Sequence, residues 1–323
     1  MIQPPEHGDR IGRYRVDELV KAGGMASIYR GTDVISGATV AIKIPRPELE
    51  SDALFFDRFH READIGRKLD HPGVVKVLPA EDDARVCMVM EWIEGRPLRE
   101  LLDEQKRLSP ERAVRILLRI CDALSYIHDH GVAHRDLKPD NIMIDAEDHI
   151  KLIDFGIARE AGARRLTFAK LTRSMGTPDY VSPEQVKGKR GDARSDIYSL
   201  GVILYEMLTG EVPFRDPNPL VAMNQRLVAN EPPLNDGDTD IPAPLREIIR
   251  QAMERQPADR YVTARQLAHD LEHPDEINAS EATDVPAEIP PRSPSARLTW
   301  AYLSLALIPV AIFALLLIVA HHQ

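Results

Sequence analysis

Near Gly95 the hydrophobic period of this chain changes, and that change limits the folds open to it. Before it, apolar and polar residues alternate around glycine turns. Residues 14–16, 27–31 and 39–43 predict three consecutive antiparallel strands, and 74–78 and 85–91 predict two more. Between them Leu54, Phe55, Phe59, Ile65 and Leu69 fall at helical spacing over 53–69, with His71-Pro72-Gly73 as punctuation. After Gly95 the texture is helical. Ser109-Pro110-Glu111 opens an apolar-periodic run to His128 with a capping serine and a proline at the first helical position. Further helices are expected over 195–208, 218–229, 245–253 and 263–271. The reading is an α+β chain of two lobes: a small strand-rich one over about 10–91, then a larger helical one over about 95–273.

In the second lobe, His134-Arg135-Asp136-Leu137-Lys138-Pro139-Asp140-Asn141 is followed, thirteen residues after Asn141, by Asp154-Phe155-Gly156. These groups at this spacing make a phosphoryl-transfer site. Asp136 can accept the proton of an attacking hydroxyl, and Lys138 can neutralise the moving phosphoryl group. Asn141 and Asp154 can hold Mg²⁺, or Mn²⁺ in its place, on the phosphates of ATP. Both motifs resemble those of protein kinases, and Lys138-Pro139-Asp140-Asn141 resembles the serine/threonine branch. The chain is thereby similar to the bacterial eukaryotic-like (Hanks-type) serine/threonine protein kinases over roughly 10–273. The resemblance implies the two-lobed protein kinase fold, ATP and Mg²⁺ as cofactors, protein substrates, and autophosphorylation on an activation segment.

The other family motifs can be followed residue by residue. Lys21-Ala22-Gly23-Gly24-Met25-Ala26-Ser27-Ile28 stands where the family carries its phosphate-covering loop, G-x-G-x-x-G-x-V. Gly23 matches the second glycine, Lys21 and Ala26 replace the first and third, and Ile28 stands for valine. Gly24-Met25 resembles the Gly-Gly-Met loops of bacterial kinases of this type. Val20 and these residues would cover the nucleotide, with the Gly23 and Gly24 amides able to approach phosphates closely; a plain hairpin turn is the alternative. Val40-Ala41-Ile42-Lys43 matches the third-strand signature and makes Lys43 the partner of the α- and β-phosphates. An ammonium among Val40, Ala41 and Ile42 needs an anion, and Glu62 on the next helix is its natural partner. Gly66 stands where many kinases place a larger apolar residue, so a looser helix is expected. By the same resemblance Met90 is the gatekeeper, the backbone of Glu91 and Ile93 meets the adenine edge, and Ile28, Ala41 and Met143 sandwich the ring.

The resemblance makes His134 a packed structural residue and Arg135 the partner of a phosphorylated activation segment. Thr167, Thr172 and Ser174, among Arg164, Arg165, Lys170 and Arg173, are alternative phosphosites. The run from Gly176 to Glu184 resembles the substrate-docking stretch, with Ser182 in place of the alanine of Ala-Pro-Glu. Glu184 is expected to pair with Arg260, and Asp196 to anchor the catalytic-loop backbone, both in structural roles.

Composition bounds the rest. A 323-residue chain with 43% hydrophobic content can bury a substantial core. Cys87 and Cys121 lack metal-ligand spacing and read as buried free thiols of a reducing compartment. The formal charge of −10, without a basic tract, argues against nucleic-acid binding. The first residues lack a signal-peptide pattern. Residues 298–320 carry no charge over 23 positions, and as a helix would span roughly 34 Å. A single-pass membrane helix is expected there, with Pro309 tolerated, Trp300 and Tyr302 at the interface, and Arg292 and Arg297 favouring a cytoplasmic kinase domain. Residues 274–297, rich in Pro, Glu, Ala and Ser, read as a flexible linker. Three residues follow the span, so no external sensor domain is expected. Two copies in one membrane would meet at raised effective concentration, which favours a homodimer for phosphorylation in trans. Two rivals remain: a membrane-bound pseudokinase or scaffold, for which Lys21 and Ala26 speak, and a small-molecule phosphotransferase, against which the docking stretch speaks.

Overall fold

The structure is a computed structural model that describes residues 4–49, 52–80, 86–154, 178–216, 218–228 and 241–277. These belong to one compact unit, Met1–Ala279. The unit Ser280–Gln323, and with it the expected membrane span over 298–320, lies outside the described residues.

The first lobe is built on an antiparallel sheet whose strands are β1 (Arg10–Ile11), β2 (Tyr14–Ala22), β3 (Ala26–Asp33), β4 (Thr39–Pro45), β5 (Val77–Leu78) and β6 (Met88–Glu91). Their order is β1-β2-β3-β4-β6-β5, so the first four follow the chain and the last two exchange places. Because side chains alternate across a strand, Val40, Ile42 and Ile44 share one face of β4, where they meet Tyr14, Val16, Tyr29 and Val89 in one apolar cluster. Lys43, between Ile42 and Ile44, points to the other face. The sheet has one strand more than the sequence suggests, since β1 is too short for any periodic trace. The strand expected over 74–78 contracts to β5, with Val74 instead making a parallel bridge to Leu152.

Helix α1 (Ala53–Lys68) lies against this sheet. Asp52 caps it by accepting the amide of Phe55 at 3.1 Å. Phe55, Phe59 and Ala63 at helical spacing pack on Val75, Val77, Met88 and Met90. Each buried phenylalanine stabilises this docking by about 1.5–3 kcal/mol. Gly66 corrects the expectation of a loose helix. A Cβ at this position would overlap Val77 Cγ2 and stand 3.3 Å from Val77 Cβ, so the missing side chain lets the helix approach β5 closely.

The second lobe contains α2 (Leu98–Gln105), α3 (Pro110–Asp129), α4 (Pro183–Val186), α5 (Ala193–Thr209), α6 (Pro219–Val228), α7 (Ala243–Ala252) and α8 (Ala264–Glu272). Ser109 caps α3, accepting the Arg112 amide at 3.3 Å, with Pro110 at the first helical position. Its apolar stripe of Ile116, Leu117, Ile120, Leu124 and Ile127 packs with α5, whose Ile197, Leu200, Val202, Ile203 and Leu204 are buried in the same core. A second small sheet, β7 (Arg96–Pro97), β8 (Ile142–Ile144) and β9 (Ile150–Leu152), was not evident in the sequence. It brackets the catalytic motifs: β8 follows Asn141 directly and β9 ends two residues before Asp154. The fold continues beyond residue 273 into a 3-10 turn, Pro274–Glu276, and Ile277 packs on the core. Cys121 is buried and Cys87 half-buried.

Candidate active site

Three elements from distant parts of the chain meet at Lys43. Strand β4 supplies the ammonium, α1 supplies Glu62, and the residue pair after β9 leads to Asp154. Lys43 Nζ lies 3.1 Å from Glu62 Oε1 and 2.7 Å from Asp154 Oδ1. Burial pulls the Lys43 pKa down, but the two carboxylates outweigh it and the net direction is up, so the side chain stays charged. Burial pushes Asp154 up, but Lys43's charge and hydrogen bond outweigh this and hold it below the usual carboxylate range. Glu62, almost fully buried, is pushed upward by burial, opposed by Lys43. Asp154 keeps 40% of its side chain exposed, which leaves carboxylate surface for a cation.

The catalytic motif forms a second polar cluster. Asn141, buried in the 3-10 turn Pro139–Asn141, donates from Nδ2 to the Asp136 backbone carbonyl at 2.8 Å and to Asp136 Oδ2 at 3.1 Å. With its amide nitrogen so engaged, Oδ1 is the Asn141 atom chemically suited to a metal. Lys138 Nζ lies 3.3 Å from the same Asp136 Oδ2. Asp154 and Asn141 are tied through the backbone, where Ile153 N–H donates to the Asn141 carbonyl at 3.0 Å.

The loop backbone is strained where this cluster begins. Arg135 has φ 63° and Asp154 φ 57°, in the left-handed region that non-glycine residues adopt at a cost. Asp196, fully buried on α5, offsets that cost. Its Oδ2 accepts from the His134 amide at 2.8 Å and from His128 Nε2 at 2.8 Å, and its Oδ1 accepts from the Arg135 amide at 2.7 Å. His134 is itself buried, with Nε2 donating to the Ile153 carbonyl at 3.1 Å, so it staples the loop to the approach to Asp154. Burial holds the His134 pKa low, and the ring is neutral.

Below the loop, Glu184 and Arg260 meet in a buried two-pronged pair at 2.8 Å on each side, and Ser195 Oγ donates to Glu184 at 2.6 Å. Burial raises the Glu184 pKa, but the Arg260 hydrogen bonds and charge and the Ser195 hydroxyl reverse it, to about 2. Tyr180, in the same stretch, donates to Glu206 at 2.5 Å, and Arg99 bridges both. Arg226 of α6 holds Asp179 at 3.3 Å.

The glycine loop is the tight connection between β2 and β3. Lys21 pairs with Ile28, Gly23 N–H donates to the Ala26 carbonyl at 3.0 Å, and Arg46 N–H donates to the Met25 carbonyl at 3.0 Å. A Cβ on Gly23 would stand 2.7 Å from the Ala26 oxygen, so the turn demands glycine there. A Cβ on Gly24 would meet no protein atom within 4 Å, so packing gives no reason for glycine at that position. Val20 lies half exposed on β2. Met90 is buried and pairs with Ala41 across β4 and β6. Glu91 donates its N–H to the Lys76 carbonyl at 3.0 Å. Ala41 and Ile93 both pack on the α1 cluster, and Met143 lies half-buried in β8. Phe155, Gly156, Thr167, Thr172, Ser174 and Thr177 lie outside the described residues.

His128 and Gln185 were not singled out in the sequence. His128 carries no motif and is found only through Asp196. Gln185 had a visible signal, since Ser182-x-x-Gln185 is a helix-capping pattern.

The fold thus sets a lysine–carboxylate cluster beside an Asp-Lys-Asn loop. The sequence profile of the protein kinase domain matches residues 14–271, and the chain belongs to the protein kinase family. It is 38% identical over 268 residues to the probable serine/threonine-protein kinase PknB of Corynebacterium glutamicum, covering 80% of this chain and 42% of that protein. It is 36% identical over 279 residues to serine/threonine-protein kinase PknB of Mycolicibacterium smegmatis, covering 85% and 44%. The chain thus spans less than half the length of these curated relatives. Among solved structures, Rad53 1-466 in complex with AMP-PNP is similar with a TM-score of 0.64 at 28% identity, over 79% of this chain and 64% of that one.

Proposed function

We propose that this chain is an ATP-dependent serine/threonine protein kinase that transfers the γ-phosphoryl group to protein hydroxyls. The observation that carries the proposal is the convergence of Lys43, Glu62 and Asp154 beside the Asp136, Lys138 and Asn141 cluster. In this reading Lys43, kept charged by two carboxylates, orients the α- and β-phosphates. The Gly24 amide covers the phosphates, which the open space there supports, whereas the Gly23 N–H is engaged on the Ala26 carbonyl and shapes the turn instead. The Asp136 carboxylate, oriented through Oδ2 by Asn141 and Lys138, accepts the proton of the incoming hydroxyl, and the Lys138 ammonium beside it stabilises negative charge on the transferring group. Asp154 and the Asn141 amide oxygen form a hard-oxygen donor set that suits Mg²⁺ or Mn²⁺. Such an ion, when bound, neutralises phosphate charge.

Residues 298–320 support a single-pass anchor that holds the kinase domain at the cytoplasmic face of a membrane through a linker over 278–297. Among the described residues no helix is long and apolar enough to cross a membrane. The roughly 20 residues from 278 to 297 reach about 25 Å as a flexible chain, enough for two anchored copies to meet and phosphorylate each other. Removing 298–323 is expected to slow autophosphorylation in vesicles, and an unchanged rate would remove support for this role. For the kinase reading itself, the full chain incubated with γ-labelled ATP and Mg²⁺ is expected to label serine or threonine, with sites mapped among Thr167, Thr172 and Ser174. Folded protein that binds ATP without transferring label would instead favour a pseudokinase.

A further inference from the structure

Arg135 is held through both of the peptide groups that flank it. The Arg135 amide donates to Asp196 Oδ1 at 2.7 Å, and its carbonyl accepts from Gln185 Nε2 at 2.9 Å. The Arg135 side chain adds a third tie, Nε to the Gly191 carbonyl at 3.1 Å. At the other end of the Gln185 side chain, Oε1 accepts from Ser182 N–H at 3.2 Å and Ser182 Oγ at 3.0 Å. Gly191 makes room for it, since a Cβ there would stand 3.0 Å from Gln185 Cγ and 3.2 Å from Cδ. Gln185 is therefore gripped at both polar ends and directly follows Glu184, which is locked to Arg260.

We propose that Gln185 is a positioning residue that fixes the Arg135–Asp136 peptide and so aims the Asp136 carboxylate, coupling the docking stretch to the proton-accepting residue. Its role for the reaction rests on the kinase reading above, while its role in holding the loop does not. The bland alternative is that Gln185 only caps the one-turn helix α4. Capping needs an acceptor, which Oε1 supplies, but it gives no reason for a donor aimed 50 residues back in the chain. The left-handed φ of 63° at Arg135 does: a strained residue persists only when its surroundings overdetermine it.

Glutamate separates the two roles. Gln185→Glu keeps an acceptor for Ser182, and glutamate is favoured at this position of a capping box and in a first helical turn. It loses the donor to Arg135 and sets a negative oxygen against a carbonyl. In the full chain, the expected result is a fall in kcat of at least about tenfold with the ATP KM and thermal midpoint little changed, together with at least about tenfold faster amide exchange over residues 134–137. Gln185→Met, which loses both ends, is expected to reproduce the exchange change if the glutamate variant folds poorly. Wild-type kcat and wild-type exchange in Gln185→Glu overturn the proposal. If the wild type transfers no label, the kinase reading fails, and the exchange rates still decide whether Gln185 holds the loop.

Discussion

Lys43 stands closer to Asp154 than to Glu62, at 2.7 Å against 3.1 Å, so one ammonium ties helix α1 to the residue that follows the catalytic sheet. Glu62→Gln leaves Asp154 to hold the lysine but loosens its link to α1. Activity is predicted to fall by about 100-fold, the scale for one positioned electrostatic contact, with the ATP KM raised. Steady-state kinetics at varied ATP check this. A wild-type kcat/KM would show that Lys43 needs Asp154 alone.

Gly66→Ala sets two effects against each other. Alanine favours a helix interior by roughly 0.5–1 kcal/mol over glycine, whereas forcing a methyl onto Val77 costs about 1–3 kcal/mol. The clash wins, so the variant is predicted to lose thermal stability and activity as α1 moves off β5. Adding Val77→Ala should restore part of both. Denaturation and kinetics of the double-mutant cycle measure that coupling.

The Glu184–Arg260 pair predicts a specific acid limb. The Glu184 carboxyl has its pKa depressed to about 2, below its unfolded value of 4.5. Its contribution is therefore fully present above about pH 4.5 and is lost as pH falls toward 2. Glu184→Gln should destabilise the protein at neutral pH by about 3–5 kcal/mol, because Arg260 is left buried without its anion. The same variant should flatten the stability loss between pH 4.5 and 2. Denaturant midpoints across that range decide it, and an unaltered slope counts against the assignment.

Asp196→Asn replaces an acceptor-only side chain by one whose NH₂ must face a donor. At least one of the amides of His134 and Arg135 or the His128 ring then loses its partner, at about 1–3 kcal/mol. Faster amide exchange in the loop and a fall in kcat larger than any rise in KM are predicted.

Much of this site could be read in the sequence because its residues sit in short contiguous motifs. The Ser109-Pro110 start of α3 was legible for the same reason, as was the lysine of β4 flanked by apolar neighbours. What escaped is set by partners distant in sequence. Strand β1 has two residues and β7 ends in proline, so neither leaves a period. Gly66 looked like a missing side chain until Val77 was placed against it. The bond from Gln185 to the Arg135 carbonyl spans 50 residues and depends on a backbone oxygen, which no residue identity encodes.

The most direct measurement is transfer of label from γ-labelled ATP with Mg²⁺ by this chain, beside Asp136→Asn. Incorporation on serine or threonine that falls at least about 100-fold in the variant is the predicted result. Equal incorporation by both proteins, or none by a wild type that is folded and binds ATP, would contradict phosphoryl transfer through Asp136.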